Sequence, residues 1–483
     1  MKATSIFGGA QVFQIIIGII RSKFIAILLG PLGMGIAGLL TSTIGLVAAL
    51  TNFGLSTSAV KDISAAYSTG NEIRLGTVAK VFRRWVWVTG LLGSVLTAAL
   101  SPWLSQLTFG NRDYTFAFIW ISITLLLNQI SAGQGVLLRG MRQIRYMAQS
   151  GMIGSIVGLF TTIPLYYLFG VRGIVPGIIL TAITSLVLTW YYARKLNIKP
   201  VQVSKARTLA EGKEMLKMGF MISLSAIIGL GVSYIVRIFI STNGGIEQVG
   251  LYNAGFAIIN TYVGMIFTAM AADFYPRLSA AANCNRESRN VMNQQAEIAI
   301  LILAPILIVF LVFIKWVVIL FYSTQFLPVT AMIYWAALGL ILKAASWSIS
   351  FIFLAKGVSK LFFWNELLAH FYSLGLNLIG YYYMGLTGLG ISFLATYLIY
   401  LIQVYALAKM KFEFSFNSSF IKIFSFQFAM ALISFLVVKF ISNPMVYIIG
   451  IVMIAGSSWY SYKELDNRLD MKSIFIGIKN RFF

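Results

Sequence analysis

The stretch "GIIRSKFIAILLG", Gly18 to Gly30, lies inside an apolar run that begins near Ser5, yet it carries Arg21 and Lys23. A run of that length crosses a hydrocarbon core of about 30 Å as one helix, whereas a cation at its middle costs about 2.5–3.5 kcal/mol on insertion scales. The two charges therefore need an explanation in what they face. Outward from this segment the apolar pattern recurs along almost the whole chain. Of 483 residues, 59% are hydrophobic and 11% charged, and mean hydropathy is +0.85, beyond what a soluble domain tolerates.

Breaks at Gly, Pro and charge clusters divide the chain into about fourteen apolar spans, from 5–29 and 36–58 at the start to 423–441 and 445–461 at the end. The expected fold class is an all-α polytopic membrane protein, since a barrel would show short alternating segments. The amino-terminal run imitates a signal peptide, with Lys2 in front of it. Its length, Arg21 and the spans that follow make it helix 1 instead.

Charge tests the count, because cytoplasmic loops hold an excess of Lys and Arg. With both termini inside, the even-numbered connections, the two termini and Lys61 together carry 29 of the 37 basic residues, for example Arg139, Arg142 and Arg145 after helix 4. Outside loops carry only Arg112 and Arg172; six cations fall within spans, namely Arg21, Lys23, Arg237, Lys315, Lys343 and Lys439. The net charge of +23 thus reflects topology and attraction to anionic membrane lipids, and needs no nucleic-acid partner. The single Cys284 excludes an intrachain disulfide.

Shifting the chain by 215 residues aligns "GIAGL" from Gly35 with "GLYNAG" from Gly250, and "KDISAA" from Lys61 with "PRLSAA" from Pro276. Arg21 then falls within one residue of Arg237. An even number of helices per half makes this a parallel repeat about an axis along the membrane normal. The expected organisation is a six-helix bundle over 1–193, a basic cytoplasmic linker at 194–217, a second six-helix bundle over 218–408, helices 13 and 14 over 409–462, and a basic tail at 463–483.

With the polar-dotted first helix, "LLGPLGMGIAGLL" from Leu28 and "NFGLSTSAVKDIS" from Asn52 resemble the Wzx-type O-antigen and polysaccharide flippases of the multidrug/oligosaccharidyl-lipid/polysaccharide (MOP) exporter superfamily. The resemblance extends over the whole chain in length, helix count and repeat. It implies two pseudo-symmetric bundles around a central cationic cavity, alternating access, and translocation of undecaprenyl-diphosphate-linked oligosaccharides across the bacterial inner membrane. It also implies partners among the polysaccharide polymerase and chain-length machinery. Related members handle lipid II or drugs.

The residues can be weighed on their own. On helix 1, Gln11, Gln14, Gly18 and Arg21 share a face less than about 100° wide, while Lys23 lies about 200° from Arg21 around the helix. Arg21 is read as facing the lumen, against the alternative of a cation snorkelling to the interface; for Lys23 the two readings stand equal. Lys343 lies near the middle of helix 10. On helix 11, Glu366, His370, Ser373 and Asn377 fall within about 60° of one another, a row that could carry coupling protons or serve helix packing, with Glu366 paired to Lys343 or Lys360. Asn52 on helix 2 and Asn253 and Asn260 on helix 8 are candidate polar lining, although small polar residues also mediate ordinary packing.

Three function classes follow. A flippase for an anionic lipid-linked sugar would use Arg21, Arg237, Lys343 and Lys23 to bind the diphosphate. It would need no cofactor, with coupling to a proton or sodium gradient through Glu366 and His370. A cation-coupled drug exporter would need embedded carboxylates, and the spans offer Glu366, with Asp273 and Glu297 at edges. A membrane polymerase or ligase would want acidic clusters on a sizeable outside loop, where only Asp113 and Glu247 are expected. No catalytic residue and no metal site are assigned, so an enzyme ranks last.

Overall fold

The computed structural model describes residues 2–441 and 444–469, so the tail from 470 onward, with Lys472, Lys479 and Arg481, lies outside the described residues. Those described are helical throughout, apart from turns and short connections. In a bilayer interior each backbone N–H and C=O must bond within its own segment, which a helix alone achieves without a partner strand.

In chain order the helices are α1 (Lys2–Asn52), α2 (Leu55–Ser68), α3 (Glu72–Ala99), α4 (Ser101–Phe109), α5 (Thr115–Gly140), α6 (Ile144–Phe169), α7 (Ile174–Ala193), α8 (Lys205–Gly244), α9 (Ile246–Phe256), α10 (Gly264–Ala280), α11 (Asn285–Phe321), α12 (Thr330–Ala355), α13 (Ser359–Phe412), α14 (Ser418–Phe440) and α15 (Met445–Leu469). Ten continuous stretches are long and apolar enough to cross a membrane, and α3 with α4, bent by 69°, makes an eleventh. Three of them are 44, 50 and 54 residues long, over twice what one crossing needs. Each is broken near its middle at a glycine with positive φ: Gly30 at 62°, Gly170 at 54° and Gly385 at 55°. A side chain at such a φ is strained, so these glycines reverse the chain where another residue would continue the helix. Counting each half as a pass gives fourteen among the described residues, as the hydropathy pattern predicts.

The second pass ends earlier than expected. Asn52 Oδ1 accepts the Gly54 N–H at 2.7 Å, and the chain bends at Gly54 (φ 64°) into the separate helix α2. Periodicity cannot show this, because the apolar pattern continues across the bend. Helix α2 instead buries Leu55, Ala59 and Ile63 against Val78 and Phe82 of α3 and Leu137 of α5.

Contacts divide the chain into two compact units: Met1–Leu251 with Phe321–Gln325, and Tyr252–Leu320 with Phe326–Phe483. The first unit therefore takes in α8, the first pass of the expected second bundle. At one end of this unit α8 is tied by charge: Glu211 accepts hydrogen bonds from Arg74 and Arg207, each at 2.8 Å. Burial pushes the Glu211 carboxyl up, but the bonds from the two guanidiniums outweigh it and hold the group below the usual carboxylate range. This is the basic end of the unit, where Arg84 also donates to the Val203 carbonyl at 3.0 Å.

At the opposite end the sequence repeat becomes geometry. A Cβ on Gly35 would overlap the Ile246 carbonyl, and a Cβ on Gly250 would overlap the Pro31 carbonyl. In the 215-residue register Gly35 corresponds to Gly250 and Pro31 to Ile246. The two contacts are thus one contact made twice, with the roles exchanged, as across a local two-fold axis. Backbones approach this closely because a glycine on one side of each contact leaves no Cβ in the way.

In the second unit, α13 folds back on itself at Gly385, with Ser392 Oγ donating to the Leu376 carbonyl at 2.6 Å across the two halves. Helix α15 is fastened to α11 by Arg468, which pairs with the buried Glu297 at 2.8 Å and donates to Ser419 of α14 at 2.7 Å.

Two stability outcomes follow from these contacts. Gly35→Val and Gly250→Val should each lower the melting temperature of the purified protein in detergent, by overpacking worth about 1–3 kcal/mol. Gly45→Ala, where nothing stands within 4 Å, should leave it unchanged or raised. Arg468→Gln should cost about 3–5 kcal/mol by stranding the Glu297 charge, and pairing it with Glu297→Gln should recover most of that loss, as read by denaturation of single and double variants.

Candidate functional site

The polar stripe of α1 faces α6, and α6 meets it with glycines. Gly151, Gly154 and Gly158 recur at helical spacing along one side of α6. Gln14 lies over Gly151, where a Cβ would overlap its Nε2, and Arg21 passes Gly158, where a Cβ would stand 3.8 Å from Nη1. A side chain at Gly151 would displace Gln14 and a large one at Gly158 would crowd Arg21, whereas Gly154 faces Leu188 of α7.

Arg21 is half-buried. On one flank it sits beside the hydroxyl of the buried Tyr166. On the other it faces an open-sided cavity of about 360 Å³ between α1, α5, α6 and α7, whose polar lining includes Ser150, Ser155, Thr181 and the exposed Arg139. The Arg21 Nε is shut off from solvent and has no hydrogen-bond partner among the described residues. No carboxylate lines the cavity.

The other expected residues of the first unit are spread more widely. Arg237 on α8 does not line this cavity; it donates to the Ser233 carbonyl at 2.9 Å and to the Ser233 hydroxyl. Lys23 is half-buried on α1, Gln11 is exposed, and Asn52 spends its Oδ1 on the bend at Gly54. The structure therefore brings together Gln14 and Arg21 from the expected set.

In the second unit Lys343 is surrounded by aromatic faces. Its Nζ lies 5.2 Å from the ring centre of Tyr397, 5.6 Å from Phe267 and 5.9 Å from Phe393, and it donates to Asn260 Oδ1 at 3.3 Å. Three ring faces offer a desolvated ammonium partial compensation without neutralising it. Asn260 stands on a π-helical turn, Ala257–Val263, that interrupts the eighth pass; such turns often re-aim side chains at functional sites. Asn253 is half-buried on α9.

Glu366 finds a different partner from those expected. Its Oε1 accepts the Tyr400 hydroxyl at 2.5 Å and the Asn365 amide at 3.2 Å, and Gln403 holds Asn365 in turn at 2.8 Å. Among the described residues it makes no ion pair with Lys343 or Lys360. The reason is the fold-back at Gly385, which sets the twelfth pass against the eleventh and brings Tyr400 to Glu366. His370 lies half-buried one turn further on, while Asn377 turns back onto the Ser373 carbonyl at 2.7 Å.

The carboxylates at span edges are also spent within the protein: Asp273 pairs with Arg277 and Glu297 with Arg468, each at 2.8 Å. Arg21 and Lys343 pair with no carboxylate among the described residues. Nor do any three His, Cys, Asp or Glu side chains there come together as metal ligands. Residue spacing pointed to Arg21 but missed Arg139, which counting by span assigned to a loop. The glycines of "SGMIGSIVG", Ser150 to Gly158, were the available signal that α6 makes room for something.

Comparison with known proteins agrees with this architecture. Residues 24–331 match the family model described as polysaccharide biosynthesis protein. The chain is 21% identical over 412 residues to the lipid III flippase of Escherichia coli (strain K12), covering 83% of this chain and 95% of that protein. The solved structure of the lipid II flippase MurJ in an inward closed conformation superposes with a TM-score of 0.71 at 14% identity, over 96% of this chain and 99% of that one. An inward-facing multidrug resistance MATE family transporter of the MOP superfamily gives a TM-score of 0.70 at 17% identity, over 83% and 94%. At these identities the structural likeness establishes a MOP-type fold.

Proposed function

The chain belongs to the polysaccharide biosynthesis protein family, and on that premise we propose that it is a flippase for a diphosphate-linked oligosaccharide, carried on undecaprenyl. The cargo is an O-antigen or related polysaccharide repeat unit, moved from the cytoplasmic to the outer leaflet of a bacterial inner membrane. One observation carries the reading. Arg21 and Lys343 stand within membrane passes with no carboxylate opposite them, while the acids nearest the passes are each tied to a partner inside the protein. Each unit thus keeps an unneutralised cation of its own, a charge pattern that favours anions over cations.

The basic end of the first unit is assigned to the cytoplasm, in keeping with the excess of Lys and Arg there. The diphosphate is captured in the first unit by Arg21, with Arg237 and Lys23 as further contacts, through charge-assisted hydrogen bonds, and Lys343 is the cation that the second unit contributes to the cargo's passage. The glycan passes along polar walls that include Gln11, Gln14, Asn52, Asn253 and Asn260, and the polyprenyl tail stays in lipid. Alternating access moves the head across without opening a continuous pore.

Direction needs an energy source, because a carrier with no differential affinity for its two states only equilibrates its cargo. Glu366 and His370 are the proposed carriers of a coupling proton or sodium ion, with Tyr400 and Asn365 setting the carboxylate. Removal of product by a polymerase in the outer leaflet is a second source of pull. A lipid II flippase would share the diphosphate chemistry and differ in the glycan. Export of cationic drugs is disfavoured by the pairing of Asp273 and Glu297, which leaves Glu366 as the acid available within the described passes.

Deleting the gene should make one lipid-linked glycan accumulate on the cytoplasmic leaflet and abolish its surface display. Complementation with Arg21→Glu or Arg237→Glu should fail although the protein reaches the membrane; normal display in both strains would sink the proposal. Separately, Glu366→Gln should remove the dependence of transport on the ion gradient. Transport that still tracks the gradient in that variant would strip Glu366 of the coupling role.

A further inference from the structure

Helix α8 is held to the rest of the first unit in two different ways. At the basic end the ties are ionic or made to backbone. Besides the ion pairs of Glu211, Ser58 Oγ donates to the Met215 carbonyl at 2.8 Å and Trp85 Nε1 to the Thr208 carbonyl at 3.0 Å. A Cβ on Gly219 would overlap the Gly54 carbonyl, and a Cβ on Gly54 the Gly219 carbonyl, so the two backbones lie directly against each other.

About 22 Å of helix rise beyond Gly219 the tie changes character. The Tyr234 hydroxyl lies 2.6 Å from Thr108 Oγ1 of α4, and Thr108 Oγ1 lies 3.4 Å from Thr43 Oγ1 of α1. All three side chains are buried, at 5%, 1% and 1% exposure. Thr43 spends its own proton on the Leu39 carbonyl at 2.8 Å. One arrangement then satisfies every hydroxyl, with Tyr234 donating to Thr108 and Thr108 to Thr43. A single directed chain thus joins the seventh pass to the third and the second.

The fold does not demand hydroxyls at this level. In the 215-residue register Tyr234 corresponds to Ile19 and Thr43 to Ile258, and Thr108 alone keeps a hydroxyl counterpart, in Ser323. A buried hydroxyl gains little beyond what its bonds return, so apolar side chains would fasten these helices at least as firmly. What hydroxyls add is reversibility. When the helices part, each can take water in place of its partner, whereas apolar faces that part must expose their surface to it. The position suits such a role. Along the chain Tyr234 stands between the fixed end of α8 and the glycine contacts of Ile246 and Gly250 at the opposite end, and Arg237 follows one turn later.

We propose that Tyr234, Thr108 and Thr43 form a releasable clasp. It holds the outer half of α8 against the second and third passes in the state seen here, and its hydroxyls exchange one another for water when that end opens to release cargo. That the end opens for cargo rests on the reading of the chain as a flippase working by alternating access. The clasp itself rests on the hydroxyl chain.

The reactivity of a buried thiol at the outer end tests it. Val249, fully buried beside Gly250, serves as the reporter in a Val249→Cys, Cys284→Ser chain, labelled in spheroplasts by a membrane-impermeant maleimide. Thr108→Val strands the Tyr234 hydroxyl and should speed labelling roughly tenfold, while Thr108→Ser, which keeps the chain, should leave it unchanged. Tyr234→Phe cuts α8 from the chain without stranding a donor and should speed labelling roughly threefold, which keeps the test decisive if Thr108→Val fails to fold. Thr108→Val combined with Tyr234→Phe strands nothing, so labelling should return to the unaltered rate or below. This double variant should melt no lower than the unaltered protein, yet move a prenyl-diphosphate oligosaccharide between leaflets roughly tenfold more slowly, because its apolar contact gains nothing from water on parting. Full transport by the double variant, or labelling unmoved in folded Thr108→Val and Tyr234→Phe variants, would overturn the clasp and leave the hydroxyls as packing. If the labelling pattern held while gene deletion left glycan display intact, the flippase reading would fall and the clasp would remain.

Discussion

A guanidinium held among apolar helices needs negative charge or acceptor oxygens, and the four helices around Arg21 offer no acid in any turn. Most features of the first unit follow from that constraint. Tyr166 supplies one oxygen, the glycines of α6 make room for the side chain, and the remaining donor face opens on the cavity. At about 2.5–3.5 kcal/mol for a central cation the arrangement is affordable for a folded membrane protein but not free.

The second unit handles the same difficulty with aromatic faces. Lys343 keeps its charge against three rings and the Asn260 carbonyl oxygen, and Glu366 is kept on Tyr400 rather than neutralising it. Elsewhere several acids are joined to bases, as in Glu211 with Arg74 and Arg207 or Glu297 with Arg468.

Hydropathy alone was enough for the helical passes, because the bilayer imposes length and apolarity residue by residue. The repeat was legible too, and Gly35 and Gly250 show why: a contact made twice in exchanged roles keeps glycine at both positions. Local sequence could not reveal the bend at Gly54, since the apolar pattern runs through it and the turn is held by a hydrogen bond that the Gly54 N–H donates to Asn52 Oδ1. Helical spacing found the face of Arg21 but not its neighbour Arg139, which sits on another helix and looks like an ordinary loop cation in the charge pattern. The partners of Lys343 and Glu366 were illegible for the same reason. Tyr397 and Tyr400 reach them through the reversal at Gly385, and periodicity within one pass says nothing about register between two.

Transbilayer movement in vesicles of purified protein tests the central claim most directly. The account predicts that a short-chain prenyl-diphosphate oligosaccharide crosses from one leaflet to the other, whereas the same glycan joined to the prenyl chain without phosphate does not. Equal movement of the two lipids would contradict it, since the cations would then have no part in choosing the cargo.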